Sequence, residues 1–287
     1  MYVQPATLPT ARRGEVHFVA DRQTHGAPQG FLPLRQQMQR KLAELEIAAA
    51  PEQIVTTVGV TQALDLVARE FTRPGDTIFV DDPAWFLMFG SFAALGAKVV
   101  GIPRLADGPD LARLAQLAAL HKPKLYVINS VLHNPTSTSL SAAKAFQVLR
   151  LAEEHDFTIA EDDIYCDLHP GSAMQPATRL AALDQLQRVI YLGGFSKSMA
   201  ANLRVGLTVD VAPPAGMFVW VDTGLDTNVL AERALAEGLL LAPGCLFSPS
   251  QLPSSRMRLN VAAMQDPLIW QFLEREMGAR QPLKSLF

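Results

Sequence analysis

Short runs rich in Val, Ile and Phe alternate with segments of helical periodicity from Gly30 onward. The runs show little polar–apolar alternation, which is typical of strands that are buried on both faces of a sheet. Six of them are predicted strands: 53–58, 77–81, 97–102, 124–129, 157–161 and 188–192. The predicted helices are 34–45, 61–71, 85–95, 111–120 and 141–155. This alternation predicts an α/β domain around a mainly parallel sheet.

The pattern changes after Gly206, where strands and helices no longer alternate regularly. Strands are predicted at 217–222, 239–241 and 256–261, and helices at 228–237 and 267–277. This order is typical of a smaller α+β unit. We therefore predict an N-terminal arm at 1–29, a large domain at 30–206 and a small C-terminal domain at 207–287.

Composition excludes several classes of protein. The net charge of −3 and the lack of a long basic run argue against a nucleic-acid surface. The two cysteines lie far apart and the six histidines show no metal-ligand spacing, so neither a disulfide framework nor a metal site is expected. No apolar stretch is long enough to span a membrane, and the N-terminus lacks the apolar segment of a signal peptide. We expect a cytoplasmic protein.

Polar residues follow several predicted strands at the point where each strand ends. In an open α/β sheet, ligands bind beyond the carboxyl ends of the strands, so these residues are expected to lie close together. The set comprises Thr61 at a helix start, Asn134, Asp162 and Tyr165, and Ser196, Lys197 and Arg204.

These residue types match the needs of pyridoxal 5′-phosphate (PLP), which is held through a lysine imine and a carboxylate partner of its ring nitrogen. Lys197 would form the imine and later move the α-proton of a substrate. Asp162 would keep the ring nitrogen protonated, while Asn134 and Tyr165 would donate hydrogen bonds to the ring oxygen. Arg204 would add a fixed charge at the phosphate.

Two more features complete this hypothesis. The helix that begins near Thr61 offers unpaired backbone N–H groups to a phosphate, and Trp85 could stack on the cofactor ring. Each residue alone has a commoner explanation: Trp85 could be core, and Asp162 and Asp163 could be turn residues. The order of the whole set at strand ends favours the site, and Asp163 is expected to tolerate substitution by Asn far better than Asp162.

The ordered motifs HNPT, EDDIY, SK with Arg204 seven residues later, PAGMFVW, APG and RMRLN resemble those of class I/II aminotransferases, the fold type I PLP enzymes. The resemblance is greatest to the aminotransferase-like domain of MocR/GabR-type regulators and to the kynurenine/α-aminoadipate aminotransferase group. It runs from about residue 26 to 206 and resumes at Pro213.

This resemblance implies an enzyme that moves an amino group between an amino acid and a 2-oxo acid, and a homodimer. It assigns the Schiff base to Lys197, the ring nitrogen to Asp162 and the substrate carboxylate to Arg258. The remaining cofactor contacts that it implies are Val60, Thr61, Trp85, Asn134, Tyr165, Ser196 and Arg204.

The chain departs from the family pattern in two main places. Only residues 207–212 lie between Gly206 and Pro213, where the family carries several dozen residues, and the chain starts late. His25 also stands where a phosphate-reaching tyrosine is usual. Other hypotheses stay open: a PLP- and amine-sensing domain without turnover, and a decayed or truncated product. Other PLP chemistry, such as decarboxylation or β-elimination, also stays open because the same electron sink serves all of these reactions.

Overall fold

A six-stranded sheet forms the centre of the larger part of the protein. The computed structural model describes residues 28–168, 177–194, 217–261 and 266–277. The strands of this sheet are β1 (Thr77–Asp82), β2 (Lys98–Leu105), β3 (Gly108–Pro109), β4 (Leu125–Ile128), β5 (Thr158–Asp162) and β6 (Val189–Leu192). Their order is β3-β2-β1-β4-β5-β6, and every pairing is parallel except that of β2 with β3. The predicted fold class, a mainly parallel α/β domain, is confirmed.

Helices cover both faces of this sheet. They are α1 (Leu32–Glu44), α2 (Gly59–Phe71), α3 (Leu87–Ala94), α4 (Leu111–His121), α5 (Ala142–Glu154) and α6 (Leu180–Asp184). Alternate strand residues enter opposite cores: Phe79 packs with α4 and α5, whereas Ile78 and Val80 pack with α2 and α3. Burial on both faces explains why the strand sequences lack a polar face.

A second sheet of three antiparallel strands follows. It consists of β7 (Phe218–Asp222), β8 (Ala242–Pro243) and β9 (Arg256–Asn260), in the order β7-β9-β8. The helices α7 (Thr227–Ala236) and α8 (Pro267–Met277) pack on it around a core that includes Val221, Leu230, Met257 and Phe272. The described part of the C-terminal region is therefore α+β.

Hydrogen bonds join this second sheet and its loops to the strand ends of the first. Ser137 Oγ donates to the carbonyl of Phe218 at 2.7 Å. The backbone N–H of Ala84 donates to the carbonyl of Phe247 at 2.8 Å. Ser248 Oγ donates to a carboxylate oxygen of Asp82 at 3.1 Å. The two sheets thus meet at the carboxyl edge of the parallel strands.

Most predicted elements are confirmed, but the strand predicted at 53–58 is wrong. Residues Pro51–Gln53 form a 3-10 turn, and the segment after it has no ladder partner among the described residues. Its Thr56 N–H instead donates to the carbonyl of Gln29. The strand predicted at 239–241 lies at Ala242–Pro243, and the short helix α6 was not predicted.

One of the two predicted domain boundaries and most of the predicted N-terminal arm lie outside the described residues. Most of the arm at 1–29 and the junction between Gly206 and Leu207 belong to these parts of the chain. Within the described ranges, we find no helix with both the length and the hydropathy that crossing a membrane requires.

Candidate functional site

Three predicted site residues form one hydrogen-bonded group, which we call the outer cluster: Asn134, Tyr165 and Arg258. Asn134 Nδ2 donates to the Tyr165 hydroxyl at 3.2 Å. Arg258 Nη1 donates to Asn134 Oδ1 at 3.1 Å. Asn134 follows β4, Tyr165 follows β5, and Arg258 lies on β9 of the second sheet. The fold therefore brings together three predicted residues from distant segments.

Arg258 carries an unbalanced positive charge in this cluster. Its guanidinium lies over the Phe218 ring at 4.2 Å and over the Phe247 ring at 4.9 Å from the ring centroids. Among the described residues it makes no ion pair. Burial lowers its pKa, although an arginine remains charged at neutral pH. A half-buried cation without a carboxylate partner suits an anionic ligand.

Tyr165 is a hydrogen-bond donor at neutral pH. Burial, followed by the nearby charge of Asp162, raises its pKa to about 12. The phenol therefore keeps its proton. Its ring also packs edge-on against Phe218 at 6.2 Å, so the hydroxyl is fixed in direction.

Asp162 is the last residue of β5 and is half-buried. One of its carboxylate oxygens accepts from the backbone N–H of Ile164 at 3.2 Å. This bond orients the side chain at the carboxyl edge of the sheet, beside Tyr165. The location agrees with the expectation from sequence.

The start of α2 lies next to the end of β6. The helix begins at Gly59, so Val60 and Thr61 belong to its first turn, whose backbone N–H groups have no partner within the helix. A Cβ placed on Gly194 would lie 3.3 Å from Val60 Cγ2. The helix N-terminus therefore lies beside the segment that leads to Ser196. This arrangement suits a phosphate group.

The remaining predicted residues receive less support. Trp85 follows β1 and is half-buried, with part of its side chain packed against the core formed by α2 and α3. Ser196, Lys197 and Arg204, as well as His25, lie outside the described residues.

Beneath the outer cluster lies a second polar group, the inner cluster: Asp81, Arg104, Tyr126 and His133. The buried Asp81 carboxylate accepts from Arg104 Nη1 at 2.7 Å and from the Tyr126 hydroxyl at 2.6 Å, and His133 Nε2 lies 3.4 Å away. Burial is the largest single effect and would raise the pKa of Asp81, but Arg104, His133 and Tyr126 together outweigh it and the pKa is lowered. Burial lowers the pKa of His133 to about 4, so this side chain is neutral.

Sequence reasoning also missed roles for Asn129 and Asp163. The side chain of Asn129 bonds to the backbone of both Asn134 and Asp162. Asp163 is fully buried and accepts from Arg179 Nε at 2.5 Å and from the Tyr191 hydroxyl at 2.9 Å. Asn129 could have been noticed because it ends a predicted strand, but the partners of Asp163 are not visible in the sequence.

No group of three His, Cys, Asp or Glu residues within the described ranges could hold a metal ion. The groups at the carboxyl edge are instead a carboxylate, an amide, a phenol, a guanidinium and a helix N-terminus. This set can bind an anionic ring compound that forms hydrogen bonds. It can also bind the carboxylate group of a second ligand.

Comparison with known proteins agrees with this geometry. A sequence model of the family "Aminotransferase class I and II" matches residues 7–212. Aromatic-amino-acid aminotransferase 1 of Thermococcus litoralis is 26% identical over 353 aligned positions, which cover 94% of this chain and 84% of that protein. The 2-aminoadipate transaminase of Thermus thermophilus is 35% identical over 220 positions, covering 73% of this chain and 53% of that protein.

A kynurenine aminotransferase structure from Pyrococcus horikoshii has the same fold, with a TM-score of 0.76. It is 23% identical, and the match covers 92% of this chain and 85% of that one. The fold is therefore that of the fold type I aminotransferases.

HTH-type transcriptional regulators of Bacillus subtilis match as well, and the chain spans 41% and 44% of the length of two of them. The Thermococcus alignment has more positions than this chain has residues, so that relative carries residues with no counterpart here. The family match nevertheless covers well over half of the chain. The chain belongs to the class I and II aminotransferase family.

Proposed function

We propose that this protein is a PLP-dependent aminotransferase that moves an amino group between an amino acid and a 2-oxo acid. The observation that carries the proposal is the outer cluster, in which an amide, a phenol and an unpaired guanidinium converge beside Asp162. The kynurenine aminotransferase named above was crystallised with pyridoxamine phosphate, the amino form of the same cofactor.

The described residues fit this cofactor. When bound, PLP supplies an electron sink for the charge that develops on the substrate α-carbon. Asp162 would hold a proton on the ring nitrogen, while Asn134 and Tyr165 would donate to the ring oxygen. Because Tyr165 keeps its proton up to a pKa of about 12, it remains a donor throughout the neutral range.

Arg258 would bind the substrate carboxylate. The Phe218 and Phe247 rings contact the guanidinium and restrict its orientation. Because no carboxylate of the described residues neutralises this charge, a substrate carboxylate would gain a charge-assisted, bidentate pair. Bound substrate would then lie between the two sheets, with its α-carbon near Lys197, the residue that we propose moves the α-proton.

The phosphate would bind at the start of α2. Val60 and Thr61 would contribute backbone N–H groups, and Ser196 and Arg204 would add side-chain contacts. Trp85 would lie on the ring face.

The test measures the covalent attachment of PLP and the turnover of amino acids in one preparation of the protein. Purified protein is incubated with PLP, and its visible spectrum is recorded before and after amino acids are added. Borohydride reduction and peptide mapping should place the pyridoxyl label on Lys197, and Lys197→Ala should abolish both label and turnover, with Lys144→Ala as the control. A label on Lys144 or Lys122 would disprove the assignment.

A second candidate is a sensor that binds PLP and an amine without turnover. It is motivated by the 34% identity over 186 positions with an HTH-type regulator, of which the chain spans 41%. The same spectra separate the two functions, because a sensor binds PLP but releases no 2-oxo acid from the amino donor.

We also propose a homodimer. An apolar groove of about 1240 Å³ lies between α1 and the edge of β6. Phe31 and Val58 on its border are 71% and 73% exposed. Large exposed apolar surfaces usually mark association sites, so a second copy is expected to cover it. Light scattering coupled to size exclusion, with and without PLP, should report twice the chain mass, and a monomer with full turnover would contradict this.

A cytoplasmic location is proposed from the two widely separated cysteines, which suit a reducing compartment. Cell fractionation of the tagged protein checks it, and recovery in the membrane fraction would contradict it.

A further inference from the structure

Asn129 uses both ends of its side-chain amide to join two loops of the site. It directly follows β4 and is half-buried. Its Oδ1 accepts from the backbone N–H of Asn134 at 2.9 Å. Its Nδ2 donates to the backbone carbonyl of Asp162 through a short hydrogen bond. One side chain therefore connects the main chains of Asn134 and Asp162, two of the residues that are proposed to hold the cofactor ring.

The pairing of β4 with β5 does not by itself fix the distance between Asn134 and Asp162. The paired register of β4 and β5 ends at Ile128 and Glu161, one residue before Asn129 and Asp162. Beyond that point the ladder no longer holds the two chains together, and the Asn129 amide replaces it with one donated and one accepted bond. Among substitutions of similar size, Asp lacks the donor and Leu lacks both groups.

Asn129 is itself anchored from below. Arg104 Nη1 donates to the Asn129 carbonyl at 3.0 Å and to the Asp81 carboxylate at 2.7 Å. The Arg104 side chain is fully buried. A buried, charge-assisted contact of this kind fixes the main chain from which the Asn129 amide extends. The inner cluster thus provides a rigid base for the bridge.

We propose that Asn129 is a positioning residue that sets the distance between Asn134 and Asp162, and so aims the Asn134 amide at the ring oxygen of the cofactor. This inference rests on the proposed function. Asn129 would not contact the cofactor ring itself. It would act through the backbone of Asn134 and Asp162, the two residues that are proposed to contact the ring.

The test compares two ligands that cannot bond to a lysine. The first is 4′-deoxypyridoxine 5′-phosphate, which keeps the ring oxygen, and the second is its 3-deoxy counterpart, which lacks it. We expect Asn129→Ala to weaken binding of the first ligand about tenfold, as loss of an aligned hydrogen bond would. Binding of the second should change at most about twofold, since it has no ring oxygen to meet Asn134. Asn129→Asp should behave similarly because it loses the donor.

Thr72→Val is the matched control. It removes a buried hydrogen bond of 2.6 Å to the Ala68 carbonyl, at the opposite end of α2 from the proposed phosphate site. It should lower thermal stability without changing the affinity for either ligand. A second readout needs no ligand: hydrogen exchange of the Asn134 backbone N–H should accelerate in Asn129→Ala but not in the control.

Equal losses for both ligands, or no loss for either, would overturn the inference while leaving the proposed function intact. If Asn129→Ala fails to fold, Asn129→Asp carries the comparison alone. If the unsubstituted protein binds neither ligand, the proposed function fails and the inference fails with it.

Discussion

The outer and inner clusters meet at the adjacent residues His133 and Asn134 but differ in how their charges are balanced. In the inner cluster the Asp81 carboxylate is matched by Arg104, and all four side chains are enclosed by protein. In the outer cluster Arg258 has no acidic partner among the described residues, and its guanidinium contacts the Phe218 and Phe247 rings and the Asn134 amide. A buried ion pair is expected to stabilise the fold, whereas a charge without an acidic partner is available to bind a ligand. Adjacent residues, His133 and Asn134, thus serve different purposes.

Two adjacent carboxylates at the end of β5, Asp162 and Asp163, test this comparison most strongly. Asp162→Asn should lower turnover roughly a hundredfold to a thousandfold, because an amide cannot keep the ring nitrogen protonated. Its fold should survive, since Asn still accepts from Ile164. Asp163→Asn removes the charged acceptor of Arg179 and should cost about 2–3 kcal/mol of unfolding free energy. Steady-state kinetics and urea unfolding of both variants measure this, and equal activity losses would show that the two roles are misassigned.

The inner cluster is expected to contribute strongly to the free energy of unfolding. Asp81→Asn leaves the buried Arg104 charge without a carboxylate, so we expect a loss of about 3–5 kcal/mol in unfolding free energy. Asp156→Asn is the control, because it breaks an exposed pair with Arg188 and should cost less than about 1 kcal/mol. Urea titrations compare the two variants. Similar small losses would mean that the cluster contributes no more than a surface pair.

Arg258 gives the converse test. Arg258→Leu should raise the KM for the amino acid about 10- to 100-fold, because the substrate carboxylate loses a charge-assisted partner. Its unfolding free energy should change by less than about 1 kcal/mol, since no ion pair is broken. Arg256→Leu, on the same strand but exposed and paired with Asp222, is the matched control for kinetics. An equal KM effect in both variants would disprove carboxylate binding by Arg258.

His133 produces the smallest expected effect, visible only against pH. Its folded pKa of about 4 lies below the ordinary value of 6.5, so the unfolded chain binds more protons between these pH values. Stability from this residue is therefore complete above pH 6.5 and is lost as the pH falls toward 4. Between pH 6 and pH 5 the loss should be about 1 kcal/mol. His133→Gln should flatten that part of the curve in urea unfolding, and an unchanged slope would contradict the assignment.

Much of the fold could be predicted because burial on both faces has a local signature. Ile78, Phe79 and Val80 are consecutive apolar residues, and the structure places them in two cores. The segment 53–58 has similar composition, yet it is not a strand, because a strand also needs a neighbour to complete its hydrogen bonds. Whether a neighbouring strand is present depends on the tertiary structure. The same limit explains why Asp163 was interpreted as a tolerant turn residue.

By itself, the sequence determined which chemical groups are available and on which strand ends they lie. Asn134, Asp162 and Tyr165 could be predicted because parallel strands bring their carboxyl ends to one edge of the sheet. Only the tertiary structure decided how those groups are held. Arg258 reaches Asn134 across 124 positions of chain, and Asn129 reaches Asp162 across 33. The strength of a hydrogen bond depends on its angles and changes when its length changes by a few tenths of an ångström. These angles and lengths are set by the packing of the two sheets.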